Sequence, residues 1–462
     1  KTRRHLYPIF GLVFIQEHLY PIFALLLIQG VTPSSHCFPL VLRNPTRSNN
    51  PTMNPEALAT PAPAQGICSA GPAQPKYSAD FEEELRTLGW IYDHDDADRP
   101  LRKYNAADGT MGEKASLENL PQESDEYFTL KQVVHRYVMR VVTEHYGFET
   151  VRLPLDKDLP PDHDPRVRTS IWLSPNALQK KHLLILAPGK CENRSPTWNI
   201  RGCIYDGLRI GTMETYFEKA RERDWGLVIL NPNNNGVVLD SDPERIQDEQ
   251  DGPAPPHLVK GIEEFGFAEA AAHRACLTTQ TLELERCGNW ISNYLKRPDI
   301  ILQDLSEQER RSRVHLIPMS EDPVVHMRYV WDNLIEPSEA KTVSFLAFSF
   351  GGFSVLRLLE ARFEQMAKKV PAIAMADSSH FIDCTGQPDA NVQDFLSSRV
   401  KNWICSSSPI NHDLQQQRLH VPCVSSSTPT HGLVAGVIVD SAVAFLDSMM
   451  LPVAAGVGKG EA

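Results

Sequence analysis

Closely spaced cysteines are missing from this chain: its nine, at positions 37, 68, 191, 203, 276, 287, 384, 405 and 423, form no CxxC and no tight Cys/His cluster. That pattern is unlike a structural zinc module or a disulfide framework and fits reduced thiols in a cytosolic or nuclear compartment. A positive surplus is missing too. With 46 Lys and Arg against 58 Asp and Glu, the formal charge is -12, which speaks against a broad basic nucleic-acid surface. Lys180-Lys181 and Arg310, Arg311 and Arg313 are local basic clusters only, so any RNA contact is expected to be indirect. There is no Walker-type loop and no sustained dinucleotide fingerprint, so neither a nucleotide cofactor nor a bound metal is expected.

Long unbroken apolar runs are also scarce. His5 to Phe10 recurs as His18 to Phe23, after a basic Lys1 to Arg4 start, but Pro8, Pro21 and Gln16-Glu17-His18 cut the stretch into pieces too short to span a bilayer. Residues 1–52 are therefore read as a leader lying upstream of a start at Met53, with a secretory or membrane signal in residues 1–29 as the alternative. Residues 53–76, rich in Pro and Ala, read as a flexible linker. The folded domain is expected over 77–450, with a short tail at 451–462.

What is present is a repeated strand and helix pattern. Apolar residues from Tyr127 to Tyr146 recur at helical spacing and Gly147 ends the run. His182 to Ala187, Trp225 to Leu230, Val343 to Phe348, Pro371 to Ala376 and His420 to Val424 are short buried-strand runs. Amphipathic segments over Met213 to Arg223, Val324 to Ile335 and Ser441 to Met450 alternate with them. Residues 237–315 break the pattern as a charged insertion, with helical pieces near Gly261 to Ala275 and Leu282 to Leu295 and less ordered ends. The expected class is α/β, with a mostly parallel sheet flanked by helices on both faces.

The hydrophobic period changes abruptly at Ser349. Thr342 to Phe348 reads as a buried strand, and Val355, Leu356, Leu359 and Phe363 then recur at three- and four-residue steps. A strand, a serine among small residues (Ala347, Gly351, Gly352) and a helix make the nucleophile elbow of α/β-hydrolases. The alternative is an ordinary N-capping serine. Ser349, Asp377 and His431 follow successive strands in the chain order of the α/β-hydrolase triad, and strand C-terminal ends are where α/β sheets place their chemistry. Phe350 N–H would be one oxyanion donor. The second would come from Gly189 or Lys190, because Pro188 has no N–H. His380 competes with His431 as the partner of Ser349 or Asp377, and Asp383 and Asp440 are spare acids.

The segments Ala347 to Gly352, Leu230 to Asn234, Tyr329 to Asp332, Ala376 to His380 and Asn402-Trp403 with Ser406 to Pro409 together resemble the Arb2 (argonaute-binding protein two) domain, from about Phe81 to Met450. The resemblance implies an α/β-hydrolase-like fold and roles in small-RNA silencing, siRNA-linked heterochromatin and splicing control. An argonaute-type protein or a chromatin complex is the implied partner, in the nucleus or cytoplasm. By motif it places Ser349, Asp377 and His431 on triad-like positions, with Gly351 in the elbow and Trp198 and Arg201 in the loop after the first strand. The sequence departs from the family at Phe348, where a histidine is common, and at Pro188-Gly189-Lys190, where the family turn is glycine-rich. Two functions follow: a hydrolase-like interaction protein, or a serine hydrolase cleaving an ester, thioester or amide.

Overall fold

A computed structural model describes residues 82–159, 161–190, 195–240, 252–380 and 388–450. All of these fall in the compact unit Tyr77–Ala462, so the leader, linker and tail lie outside the described residues, as does Asp383.

Strands β1 (Trp90–Tyr92), β2 (Leu101–Asn105) and β3 (Thr110–Lys114) make a small antiparallel sheet. Helix α1 (Asp125–Arg140) begins at Ser124, whose hydroxyl accepts from Tyr127 N–H at 3.1 Å and satisfies an otherwise orphaned helix donor. It buries Tyr127, Leu130, Val133, Val134, Tyr137 and Val138, the expected stripe. Gly147, at φ +66°, turns the chain after it.

The main sheet then assembles from β4 (Glu149–Leu153), β5 (Thr169–Leu173), β6 (His182–Ala187) and β7 (Gly226–Ile229), with α2 (Glu214–Glu222) between the last two. The insertion follows: β8 (Gly236–Asp240), α3 (Pro256–Glu264), α4 (Glu269–Thr279), α5 (Leu284–Asn293) and β9 (Ser312–Leu316). Helix α6 (Pro323–Val330), β10 (Thr342–Phe348), α7 (Phe350–Ala361), β11 (Ile373–Ala376), α8 (Ala390–Arg399), β12 (Val400–Ile404), β13 (Asp413–Arg418), β14 (Val421–Ser425) and α9 (Val439–Met450) complete the domain. The nine-stranded order is β13-β14-β12-β11-β10-β6-β7-β5-β4. From β14 to β7 all neighbours are parallel, while β4, β5 and β13 pair antiparallel at the two edges.

Side chains alternate across this sheet because successive Cβ atoms point to opposite faces. Leu183, Ile185, Val343, Phe345, Ile373 and Met375 share one core with Met327, Val355, Leu356 and Leu359 of α6 and α7. Leu184, Leu186, Leu346, Phe348 and Ala374 share the other with Phe217 of α2 and Val443 and Leu446 of α9. Both faces are covered, which explains why the central strands read as continuous apolar runs.

Two sequence expectations change. Asn402-Trp403 lies inside β12, a strand outside the apolar runs the sequence marks, as are α8 and β13. The helical pieces expected near Gly261 to Ala275 are α3 and α4, separated at Gly266 with φ +87°, a backbone state that L side chains avoid. The insertion has its own core of Leu258, Ile262, Ala271, Cys276, Trp290 and Ile291, and β8 and β9 at its two ends pair with each other, where less order was expected. Among the described residues no single helix is long and apolar enough to cross a membrane.

Candidate active site

Ser349 leaves β10 and opens α7 at φ 52°, ψ -120°, a sparsely populated region that a non-glycine residue holds only under constraint from its surroundings. The constraint is steric and local. A Cβ on Gly351 would stand 2.3 Å from the Ala187 carbonyl oxygen, and one on Gly352 would overlap Ser378 Oγ at 1.8 Å. Only glycines let α7 start this close to β6 and to the Ser378 turn. Ala347 is tolerated before the serine because it lies in register with Ala187 and Met375 of the flanking strands.

Asp377 follows β11 at φ 39° and is anchored by its N–H donating to the Trp403 carbonyl at 2.7 Å. Its Oδ2 accepts from His431 Nδ1 at 2.7 Å and from Cys405 Sγ at 3.0 Å, and its Oδ1 accepts from Arg418 at 3.2 Å. Burial works against its charge, but the His431 and Cys405 hydrogen bonds with the nearby charges of His431 and Arg418 bring its pKa down to about 2. Burial and the same carboxylate push the Cys405 thiol up to about 12. With Nδ1–H committed to Asp377, a neutral His431 presents an Nε2 lone pair. Its ring stacks on Phe348 with centroids 4.9 Å apart. No hydrogen bond joins Ser349 to His431 among the described residues.

The structure brings Gly189 and Phe350 to Ser349 as well. A Cβ on Gly189 would meet Ser349 Cβ at 3.0 Å, and Phe350, first in α7, carries an N–H without an intrahelical partner. Lys190 lies over the Phe350 ring, 5.2 Å from Nζ to centroid, and bridges Glu283 and Glu285 at 2.9 and 3.0 Å. Burial opposes its charge, but those two carboxylates hold its pKa above the ordinary value.

Four other expected residues stand apart. His380 is fully buried, with Nδ1 on Ser378 Oγ at 3.0 Å and Nε2 on the Arg418 carbonyl at 2.7 Å. Both ring nitrogens are occupied away from Ser349 and Asp377, and burial lowers its pKa to about 4. It is a strut, not an alternative to His431. Trp198 is buried in the core and packs edge-on to Phe348 at 6.3 Å, while Arg201, expected in a loop, lies exposed in the short helix Ile200–Tyr205. Asp440 pairs with Lys219 at 2.9 Å, remote from the triad-like group.

Cys405 and Arg418 were missed. Cys405 follows β12, so recognising that strand would have marked it as a strand-end residue. Arg418 ends an antiparallel edge strand and carried no such signal. Asp377, Cys405 and His431 offer donor atoms that all lie within 4.8 Å of one another.

The Arb2 domain profile matches residues 81–258 and 279–410. The cotranscriptional regulator ARB2A homolog of Gallus gallus is 25% identical over 67% of this chain and 68% of its own length. The cotranscriptional regulator ARB2A of Mus musculus is 24% identical over the same shares. The homolog from Dictyostelium discoideum is 26% identical over 53% of each chain. Among solved structures the histone deacetylase Clr3 aligns with 12% identity and a TM-score of 0.37, over 70% of this chain and 39% of that one.

Proposed function

The chain belongs to the Arb2 domain family, and from that premise we propose that it is a nuclear protein of cotranscriptional regulation, with an α/β-hydrolase-like fold and a serine-hydrolase centre at Ser349, His431 and Asp377. The observation that carries the catalytic half is the pairing of a constrained Ser349 backbone, φ 52°, with a 2.7 Å Asp377–His431 hydrogen bond. Neither is needed for an N-capping serine. His431 Nε2 takes the Ser349 proton as Oγ attacks an ester, thioester or amide carbonyl. Asp377, itself held by Arg418 and Cys405, keeps the imidazole oriented and stabilises its charged form. The N–H groups of Phe350 and Gly189 stabilise the oxyanion.

Labelling of the purified chain with a fluorophosphonate serine probe tests this. The native protein is expected to label and Ser349→Ala to lose the label. A well-folded native chain that stays unlabelled would overturn the catalytic half.

A second function is favoured by a specific observation: Lys190, expected at the oxyanion site, is taken up by Glu283 and Glu285 of the insertion, and Ser349 makes no hydrogen bond to His431. In it the fold serves binding, within small-RNA silencing linked to heterochromatin or splicing, with an argonaute-type partner and only indirect RNA contact. Co-precipitation of argonaute by both the native chain and Ser349→Ala is the expected result, and absence of argonaute from both would sink it.

A further inference from the structure

We propose that Asp377, Cys405 and His431 form a binding site for a divalent cation of the zinc class. Asp377 Oδ2 is the common point of the group, 2.7 Å from His431 Nδ1 and 3.0 Å from Cys405 Sγ. Two hydrogens now point into the space between three atoms of types that bind zinc: a thiol sulfur, an imidazole nitrogen and a carboxylate oxygen. Zinc–donor bonds of about 2.0–2.3 Å at tetrahedral angles put donor atoms about 3.3–3.6 Å apart. The two contacts to Oδ2 would have to open by roughly half an ångström, within rotamer adjustment for side chains on three separate strand-end loops, and all three donors already lie within 4.8 Å of one another.

The chemistry balances without any further reactant. Cys405 gives its S–H proton to solvent and binds as thiolate, while a neutral His431 moves its proton from Nδ1 to Nε2 through solvent. One divalent cation replaces one released proton: the three side chains go from -1 to -2, and the site with its cation is neutral. Arg418 donates to Oδ1, not Oδ2, so it orients the carboxylate without occupying the ligating oxygen, although its charge lowers cation affinity. His431 is 43% exposed at its side chain, which leaves a route in and a fourth position for water. Hard cations such as magnesium, which prefer oxygen donors, are disfavoured by the sulfur and nitrogen.

The consequence for catalysis rests on the serine-hydrolase function proposed above. Zinc and Asp377 cannot both hold His431 Nδ1, and a neutral imidazole bound through Nδ1 carries its proton on Nε2, where the base must accept one. Metal occupancy and Ser349 activation therefore exclude each other.

The experiment titrates zinc into the full chain against a chromogenic zinc indicator, and repeats it with cobalt, whose thiolate-to-metal absorption band reports sulfur ligation. One high-affinity site per chain with that band is expected. Cys405→Ser keeps an O–H donor to Asp377, so it should fold with an unchanged thermal midpoint while losing the band and at least tenfold in affinity. His431→Gln is a second, half-exposed variant with the same expected loss. Binding unchanged in both variants, or a native chain that leaves the indicator loaded at stoichiometric zinc, would overturn the site. Fluorophosphonate labelling of the metal-free chain separates the two proposals: zinc binding without labelling retains the site and rejects the hydrolase, and labelling without zinc binding does the reverse.

Discussion

Arg286 Nη2 donates to the Asn233 carbonyl oxygen across 2.8 Å, and this buried bond ties the insertion to the loop after β7. Asn233 Nδ2 in turn donates to the Gly189 carbonyl at 2.7 Å, and Gly189 lies close enough to Ser349 that an added Cβ would meet the Ser349 Cβ at 3.0 Å. The insertion thus reaches the candidate nucleophile through two hydrogen bonds. Arg286→Ala would leave the buried Asn233 carbonyl and Asn235 side chain without this donor. It should cost about 2–4 kcal/mol, the range for breaking a buried charged hydrogen bond. Hydrogen exchange should accelerate in α3, α4 and α5 before it does in β6 and β10; uniform acceleration would refute the tie.

Backbone strain at Ser349 is measurable. Ser349→Gly removes the Cβ that φ 52° penalises, so the folded chain should gain about 1 kcal/mol, less the entropy that glycine adds to the unfolded state. Ser349→Ala keeps the Cβ and should stay near the native midpoint. Thermal unfolding of the pair checks this, and a glycine variant less stable than the alanine variant would contradict it.

Arg99 and Glu214 form an ion pair at 2.8 Å with both side chains almost completely buried, joining the loop before β2 to α2. Tyr146 Oη donates to the other carboxylate oxygen at 2.9 Å. Burial, with the nearby Glu218 adding to it, pushes the Glu214 carboxyl well above its usual pKa. Glu214→Ala leaves a buried guanidinium uncompensated and should lose about 3–5 kcal/mol in denaturant unfolding. Replacing both residues by methionine should recover most of that loss.

Two buried histidines set an acid limit. His326 accepts from Asn231 N–H at 3.2 Å and meets Ser320 Oγ at 3.1 Å. Burial lowers its pKa to about 3 and that of His380 to about 4. The unfolded chain takes up both protons near pH 6.5, before the folded chain does. Stability is therefore complete above about pH 6.5 and falls as the pH drops toward 4, by up to roughly 1.4 kcal/mol per unit for each histidine. His380→Gln should flatten that slope in chemical unfolding at pH 7, 6 and 5, and an unchanged slope would exclude His380 as a contributor.

Much of this fold was legible because it depends on neighbours in sequence. The stripe of α1, the apolar runs of β6, β7, β10 and β11, and the change of period at Ser349 are all visible within windows of a dozen residues. Even the chain order Ser349, Asp377, His431 could be tied to one edge of the sheet, because parallel strands deliver their C-terminal ends together. β12 was less legible, since Asn402 and Cys405 look like loop residues until Trp403 is seen packing on the core.

The strand and helix alternation and the glycines on which the Ser349 turn depends are local properties of the chain, since hydrophobic period and backbone sterics act over a few residues. That Asp377 takes His431 and Cys405 rather than His380, that Arg418 backs the carboxylate, and that the charged insertion folds on its own core and is tied to the Gly189 loop are products of long-range packing. Those partners lie 28 to 54 residues from Asp377, and Arg286 lies 53 from Asn233. Which of several acids, thiols and imidazoles meet at such separations depends on strand order and loop path, which no local pattern records.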